Sequence, residues 1–239
     1  MTDDPLDRVA QIEGVGAAAA HARDAIDALL RHPAMRNDAA RVAAESAVRG
    51  SRASAMLAGA ATDDVADPVW QGALRVVAEV PSLAVIWDRS PRQALARMHM
   101  LAASDLVDDP DQLGRPRADA EIARLEQILT LATGRTRAPA VVVAAVVHGE
   151  LAVLRPFGTA DGVVARAAER VVLVARGVDT KAVSAPEVGH QALARAYGPL
   201  LEAYAGGVAE GVGAWVRHCA DAYARGADEG LAIADRSAR

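Results

Sequence analysis

Residues 141–176 read VVVAAVVHGELAVLRPFGTADGVVARAAERVVLVAR, and the way this stretch folds decides the architecture. An apolar run leads to Arg155-Pro156-Phe157, then to a short polar loop, then to a second amphipathic run. Residues 141–147 and 171–174 are rich in β-branched side chains, which suits buried parallel strands. Periodicity does not separate a buried strand from a buried helix. Ala144 and Ala145 interrupt the valines, and the apolar character continues past His148 and Glu150 to Leu151 and Leu154. The stretch is therefore read as two helices around a loop; strands at 141–147 would make the chain α/β instead.

Outward from this centre, the chain reads as helices throughout. Residues 1–4 are read as loose. Pro5 opens a helix whose apolar spacing runs from Leu6 to Leu30, and His32-Pro33 ends it. A second, Ala-rich helix is expected from about Met35 to Leu57. Asp67-Pro68 opens a third, and Ser90-Pro91 supplies a cap residue followed by proline at the first helical position. Residues 105–117 are polar and hold Pro110, Gly114 and Pro116, a loop by composition. A helix follows over 118–133. Ser184 and Glu187 have the spacing of a capping box for a helix through Tyr197. Gly198-Pro199 and Gly206-Gly207 read as breaks before a long closing helix.

Composition narrows the class. The chain has 239 residues, 52% hydrophobic but only 3% aromatic, so Ala, Val and Leu must fill the core. Small side chains of this kind favour close helix–helix packing. The formal charge is −5 without a basic stripe, which gives no footprint for nucleic acid. A single cysteine, Cys219, excludes an intrachain disulfide and a zinc site based on a set of cysteines. The N-terminus lacks the pattern of a signal peptide and no apolar run reaches the ~20 residues of a membrane span. A cytoplasmic protein with no membrane partner is expected.

The segment 148–166, HGELAVLRPFGTADGVVAR, resembles the signature region of the Fic (Fic/Doc) family, HPF-x-(D/E)-GNGR-xx-R, which lies between two core helices. Pro156, Phe157, Gly162 and Arg166 match it, and His148 stands where the family usually has an upstream histidine. Arg155 replaces the family's catalytic His, Thr159 its acidic metal ligand, Asp161 the Asn of the anion hole, and Val163 the first Arg. Two weaker likenesses keep the family's order. Residues 113–117, with Gly114 and Arg117, resemble the G-x-x-R flap that lines up the target segment. Residues 54–59, with Ser54 and Gly59, resemble the inhibitory helix motif S/T-xxx-E-G, with Ala58 in place of its Glu.

The resemblance implies an all-α protein: N-terminal helices over 1–60, a Fic-like core over 61–180 with room for a small flap hairpin, and a C-terminal helical extension over 181–239, together forming one unit. It also implies transfer of AMP from ATP to a protein hydroxyl, with Mg²⁺ as cofactor. The replacements argue against that chemistry. Arginine has a pKa above ~12 and no acceptor, so Arg155 does not serve as a base. Thr159 is a poor ligand for Mg²⁺. If a helix starts at Gly162, Asp161 is its natural N-cap, and its carboxylate occupies the amides a phosphate would use. The expected function is accordingly a degenerate Fic-like protein, a pseudoenzyme that binds an anionic small molecule or a protein and requires neither cofactor nor metal.

The alternative is a nucleotidyl- or phosphotransferase-type enzyme using ATP and Mg²⁺. Asp161 would be its base or metal ligand, and Arg155 and Arg166 would hold phosphates, with Thr159 and Gly162 beside them. Plainer readings stand next to these. Arg155 pairs with Asp161 or Glu150; Arg166 pairs with Glu45 or Glu169; His148 is a hydrogen-bonded core residue; Gly114 and Arg117 form a surface turn. His21, His32, His99, His190 and His218 show no ligand spacing and read as structural or solvated, and Cys219 as a small core residue. A homodimer is the assembly the resemblance suggests.

Overall fold

The computed structural model describes residues 4–237 of the chain. Residues 1–3, read above as loose, lie outside the described residues, but Asp4 is fixed. Its carboxylate accepts from the Asp7 amide at 3.1 Å, capping the helix Pro5–Ala10 (α1), and from Thr136 Oγ1 and the Arg137 amide. The expected first helix is broken here. Gly14, at φ +77°, turns the chain into Val15–Arg31 (α2), and Arg217 donates to the Glu13 carbonyl at 2.8 Å to hold the corner. The apolar spacing runs across this break because both halves face the same core. The next helix starts later than expected, at Ala39–Leu57 (α3), because Pro33–Arg36 winds into a 3-10 turn whose second amide bonds His32 Nδ1.

Asp67 caps Pro68–Ala78 (α4) through the amides of Val69 and Trp70, at 2.9 and 3.0 Å. Val80–Trp87 (α5) follows at a 60° bend, and the pair turns Val76, Val77, Val80, Leu83 and Trp87 into the core. No single described helix is long and apolar enough to cross a membrane. Pro91–Ala103 (α6) and Ile122–Thr133 (α7) complete the layer before the central hairpin, though Ser90 makes no side-chain cap.

The stretch 141–176 folds as two helices, Ala140–Leu154 (α8) and Asp161–Ala175 (α9). The valine-rich run is helical because α8 is buried on all sides, and a helix with no polar face has no periodicity to display. Small residues let neighbours in. A Cβ on Gly149 would stand 2.7 Å from Trp215 Nε1, and that indole donates to the Ala145 carbonyl at 2.9 Å.

Pro186–Ala192 (α10) and Ala194–Ala205 (α11) depart from expectation in two ways. Ser184 and Glu187 do not form a capping box. Ser184 Oγ donates to Asp179 at 2.6 Å and Glu187 pairs with Arg170 at 3.2 Å, so buried charged partners claim both side chains. The break falls at Leu193, whereas Pro199 sits inside α11. Pro199 is exposed there, so water can serve the carbonyl left without a donor.

Ala209–Ser237 (α12) is the longest element and packs on α2, α3, α8, α10 and α11, which makes it a spine of the fold. Its approach to α10 is close: a Cβ on Gly189 would lie 2.0 Å from the Ala222 carbonyl oxygen. Buried apolar residues from Leu6 to Ala234 form one core. The described residues contain no strand, so the flap hairpin is not formed. Pro116 has no amide to offer, and the segment meets the central loop through one backbone bond, Arg117 N–H to the Pro156 carbonyl at 2.9 Å.

Candidate functional site

The loop between α8 and α9 is built from left-handed residues: Arg155 at φ 46°, Gly158 at 78° and Ala160 at 54°. Two of the three are not glycine, and each such residue costs ~1–2 kcal/mol. Arg155 ends α8 and Ala160 stands at the start of α9. The tight loop lies at the mouth of a cleft of ≈ 400 Å³ whose lining includes Ala58, Arg155, Asp161, Gly162, Arg166 and Tyr197.

Asp161 does not cap α9. It is the first helical residue, and its carboxylate turns back to accept the Phe157 amide at 2.9 Å. The short loop brings that donor closer than the amides ahead of it. The expected filling of the anion site by Asp161 is thus overturned, since no side chain caps the start of α9. The second carboxylate oxygen is buried without a hydrogen-bond partner. Burial pushes the Asp161 carboxyl above its ordinary value, against the pull of the Phe157 and Gly158 amides and the charges of Arg155 and Arg117.

The two arginines are arranged otherwise than either carboxylate pairing foresaw. Glu150 is taken by Arg124 at 2.8 Å and by Tyr204, and the Arg155 guanidinium makes no hydrogen bond or ion pair among the described residues. Arg166 is 2% exposed and donates to Ser54 Oγ at 2.9 Å, to the Ser54 carbonyl at 2.8 Å and to Tyr197 Oη at 3.4 Å. Glu45 pairs with Arg49 instead, and Glu169 with two histidines. A buried guanidinium beside Gly162, with no carboxylate in ion-pair range, leaves its charge to the cleft.

The other sequence candidates divide. Ser54 and Ala58, on and just after α3, reach the cleft, Ser54 through Arg166 and Ala58 as lining. Gly59, at φ +84°, turns the chain out of α3. Thr159 is half-buried and does not line the cleft. Gly114 donates its amide to His99 Nδ1 at 2.9 Å, and His99 stacks on Phe157 at 4.2 Å. Arg117 donates to the Arg155 carbonyl at 3.0 Å and to Asp119 at 2.9 Å. Gly114 borders a separate groove of ≈ 250 Å³ with Phe157 and Leu129.

Sequence reasoning missed Tyr197 and what lies behind it. Tyr197 Oη is 2.6 Å from His148 Nε2, and His148 Nδ1 is 2.7 Å from Glu169 Oε2. Glu169 also receives His190 Nε2 at 3.0 Å and the Tyr223 hydroxyl at 2.9 Å. His190 Nδ1 faces His218 Nε2 at 3.3 Å. Burial depresses His148 and His218 to about 4 and pushes Tyr197 up to about 12. Burial alone would raise Glu169, but His148 and His190 outweigh it and hold the carboxyl well below the usual range. The available signal was in α9 itself: Arg166, Glu169 and Arg170 lie in an otherwise apolar run, and charges so placed must find buried partners.

No protein-family profile matches this sequence, and no curated protein matches it. Solved structures do. The crystal structure of a Fic family protein from Desulfovibrio desulfuricans G20 aligns over 97% of this chain and 76% of its own, with a TM-score of 0.72 at 17% identity. The chain has a Fic-like, all-α fold.

Proposed function

We propose that this chain is a Fic-fold binding protein that does not transfer AMP, and that its cleft takes a phosphate-bearing small molecule. The observation that carries this is the pair of guanidinium groups in the cleft, beside an Asp161 whose carboxylate is turned to the Phe157 amide. Arg155 and Arg166 line it without a carboxylate partner, and the first amides of α9 are free of side-chain caps. Free helix-start amides and a guanidinium together favour a doubly charged anion. Ala58, at the position of the inhibitory Glu in the motif it resembles, leaves that space open. The proton acceptor expected of a transferase is missing where Arg155 stands, because a guanidinium neither accepts a proton nor orients a hydroxyl by accepting from it.

Calorimetric titration with ATP, AMP and pyrophosphate tests the reading. Binding of at least one is expected, with Arg155→Ala weakening it about tenfold, or ~1.4 kcal/mol. Absence of heat with all three at millimolar concentration would end the proposal. The orphaned oxygen of Asp161 supports a second reading, an altered transferase with Asp161 as base or metal ligand. Transfer of label from ATP to protein, abolished by Asp161→Asn, would establish that reading and remove the first.

A further inference from the structure

Behind the cleft, α8, α9, α10 and α12 each contribute one side chain to a sealed cluster: His148, Glu169, His190 and Cys219. All are buried, and one ligand atom from each lies within 4.8 Å of the others. We propose that His148 Nδ1, a Glu169 carboxylate oxygen, His190 Nε2 and Cys219 Sγ hold one zinc ion that staples these four helices together.

Three features of the geometry carry the inference. The donor set comes first. Thiolate and imidazole select zinc over magnesium or calcium, and four protein ligands make a closed, structural site. Second, the outer ring nitrogens already have partners. His148 Nε2 meets Tyr197 Oη at 2.6 Å and His190 Nδ1 meets His218 Nε2 at 3.3 Å. Ligating histidines are almost always oriented in this way by a second hydrogen bond. Third, the partners of Glu169 are two imidazoles and a phenol. Among the described residues no arginine or lysine forms an ion pair with Glu169, since Arg170 is committed to Glu187 and Arg166 to Ser54. A dication with one carboxylate and one thiolate is neutral, which suits the apolar core.

The protons balance. On uptake of zinc, His148 and His190 give up the protons that point at Glu169 and carry one on the opposite nitrogen, where each donates outward, and Tyr197 turns its hydroxyl hydrogen from His148 toward the cleft. His218 takes the other tautomer to accept from His190. Cys219 binds as the thiolate and releases one proton to solvent.

The full chain, purified without an immobilised-metal column, is the material for the test. Elemental analysis is expected to find one zinc per chain. Stripping with dipicolinate should lower Tm, and zinc sulfate, but not magnesium, should restore it with release of one proton per ion. Cobalt in place of zinc should give a thiolate charge-transfer band that Cys219→Ser abolishes. Tyr197→Phe, which removes the outer partner of His148 and a 3.4 Å contact of Arg166, should weaken zinc ~10-fold, the low end for such partners. Cys219→Ser, a change of one atom that keeps the helices by circular dichroism, should weaken it more. A zinc content at the buffer blank after reloading, a Tm indifferent to zinc, or binding undiminished in Cys219→Ser would each overturn the proposal.

Discussion

The central hairpin holds two polar sites of opposite character. At its loop end, the cleft gathers two guanidinium groups with no carboxylate paired to either. Deeper in, on the same two helices, His148 and Glu169 belong to a cluster whose carboxylate is held by two histidines and a tyrosine rather than by a guanidinium. The first is open to solvent; the second is sealed. Tyr197 stands between them, 2.6 Å from His148 and 3.4 Å from Arg166. Opposite charges in one cavity would neutralise each other. Separated by a neutral phenol, each keeps its own demand, one for an anion and one for a cation.

The largest expected effect tests the sealed site. In the metal-stripped chain, Glu169→Ala leaves His148, His190 and Tyr223 without their shared acceptor and should destabilise the fold by ~3–5 kcal/mol, read by urea unfolding. A loss no larger than that of a surface carboxylate would erase the contrast. The loop end should respond in the other direction. Ala160→Gly relieves a left-handed alanine and should raise stability by ~1 kcal/mol in the same assay. Destabilisation there would show that the strain at this loop is not what the backbone angle implies.

The smallest effect sharpens the comparison through pH. Asp161 has a folded value above its unfolded one, so the folded state binds more protons across that interval. Stability contributed by the protonated carboxyl is full in acid and is lost as pH rises through the folded value. Asp161→Asn removes this slope. The variant should gain on the wild type as pH climbs from the ordinary carboxylate range toward neutrality, and the two melting curves should converge in acid. A constant gap would mean that Asp161 titrates as in the unfolded chain.

The legibility of the two sites differs for a physical reason. Pro156, Phe157, Gly162 and Arg166 lie in one short run of sequence, 156–166, so their spacing survives in the sequence and points to the fold. The all-helical reading of 141–147 held because Ala144 and Ala145 break a strand-like run. The Asp161 cap failed because a residue type states what it can accept, not which of two nearby amides reaches it. The sealed cluster left no spacing to read: His148, Glu169, His190 and Cys219 come from four helices and meet only in the packed core. Helix breaks at Gly14 and Leu193 were missed for a related reason, since apolar periodicity continues across a corner when both arms face one core.

Pro199 gives α11 a built-in weak point. The Arg195 carbonyl finds no amide one turn on, so the missing bond brackets Tyr197, which lines the cleft, while Tyr204 anchors the far end of the helix to Glu150. Most other side chains of α11 face solvent. Of the walls around both chambers, α11 is therefore one with a rung missing beside the residue that stands between them.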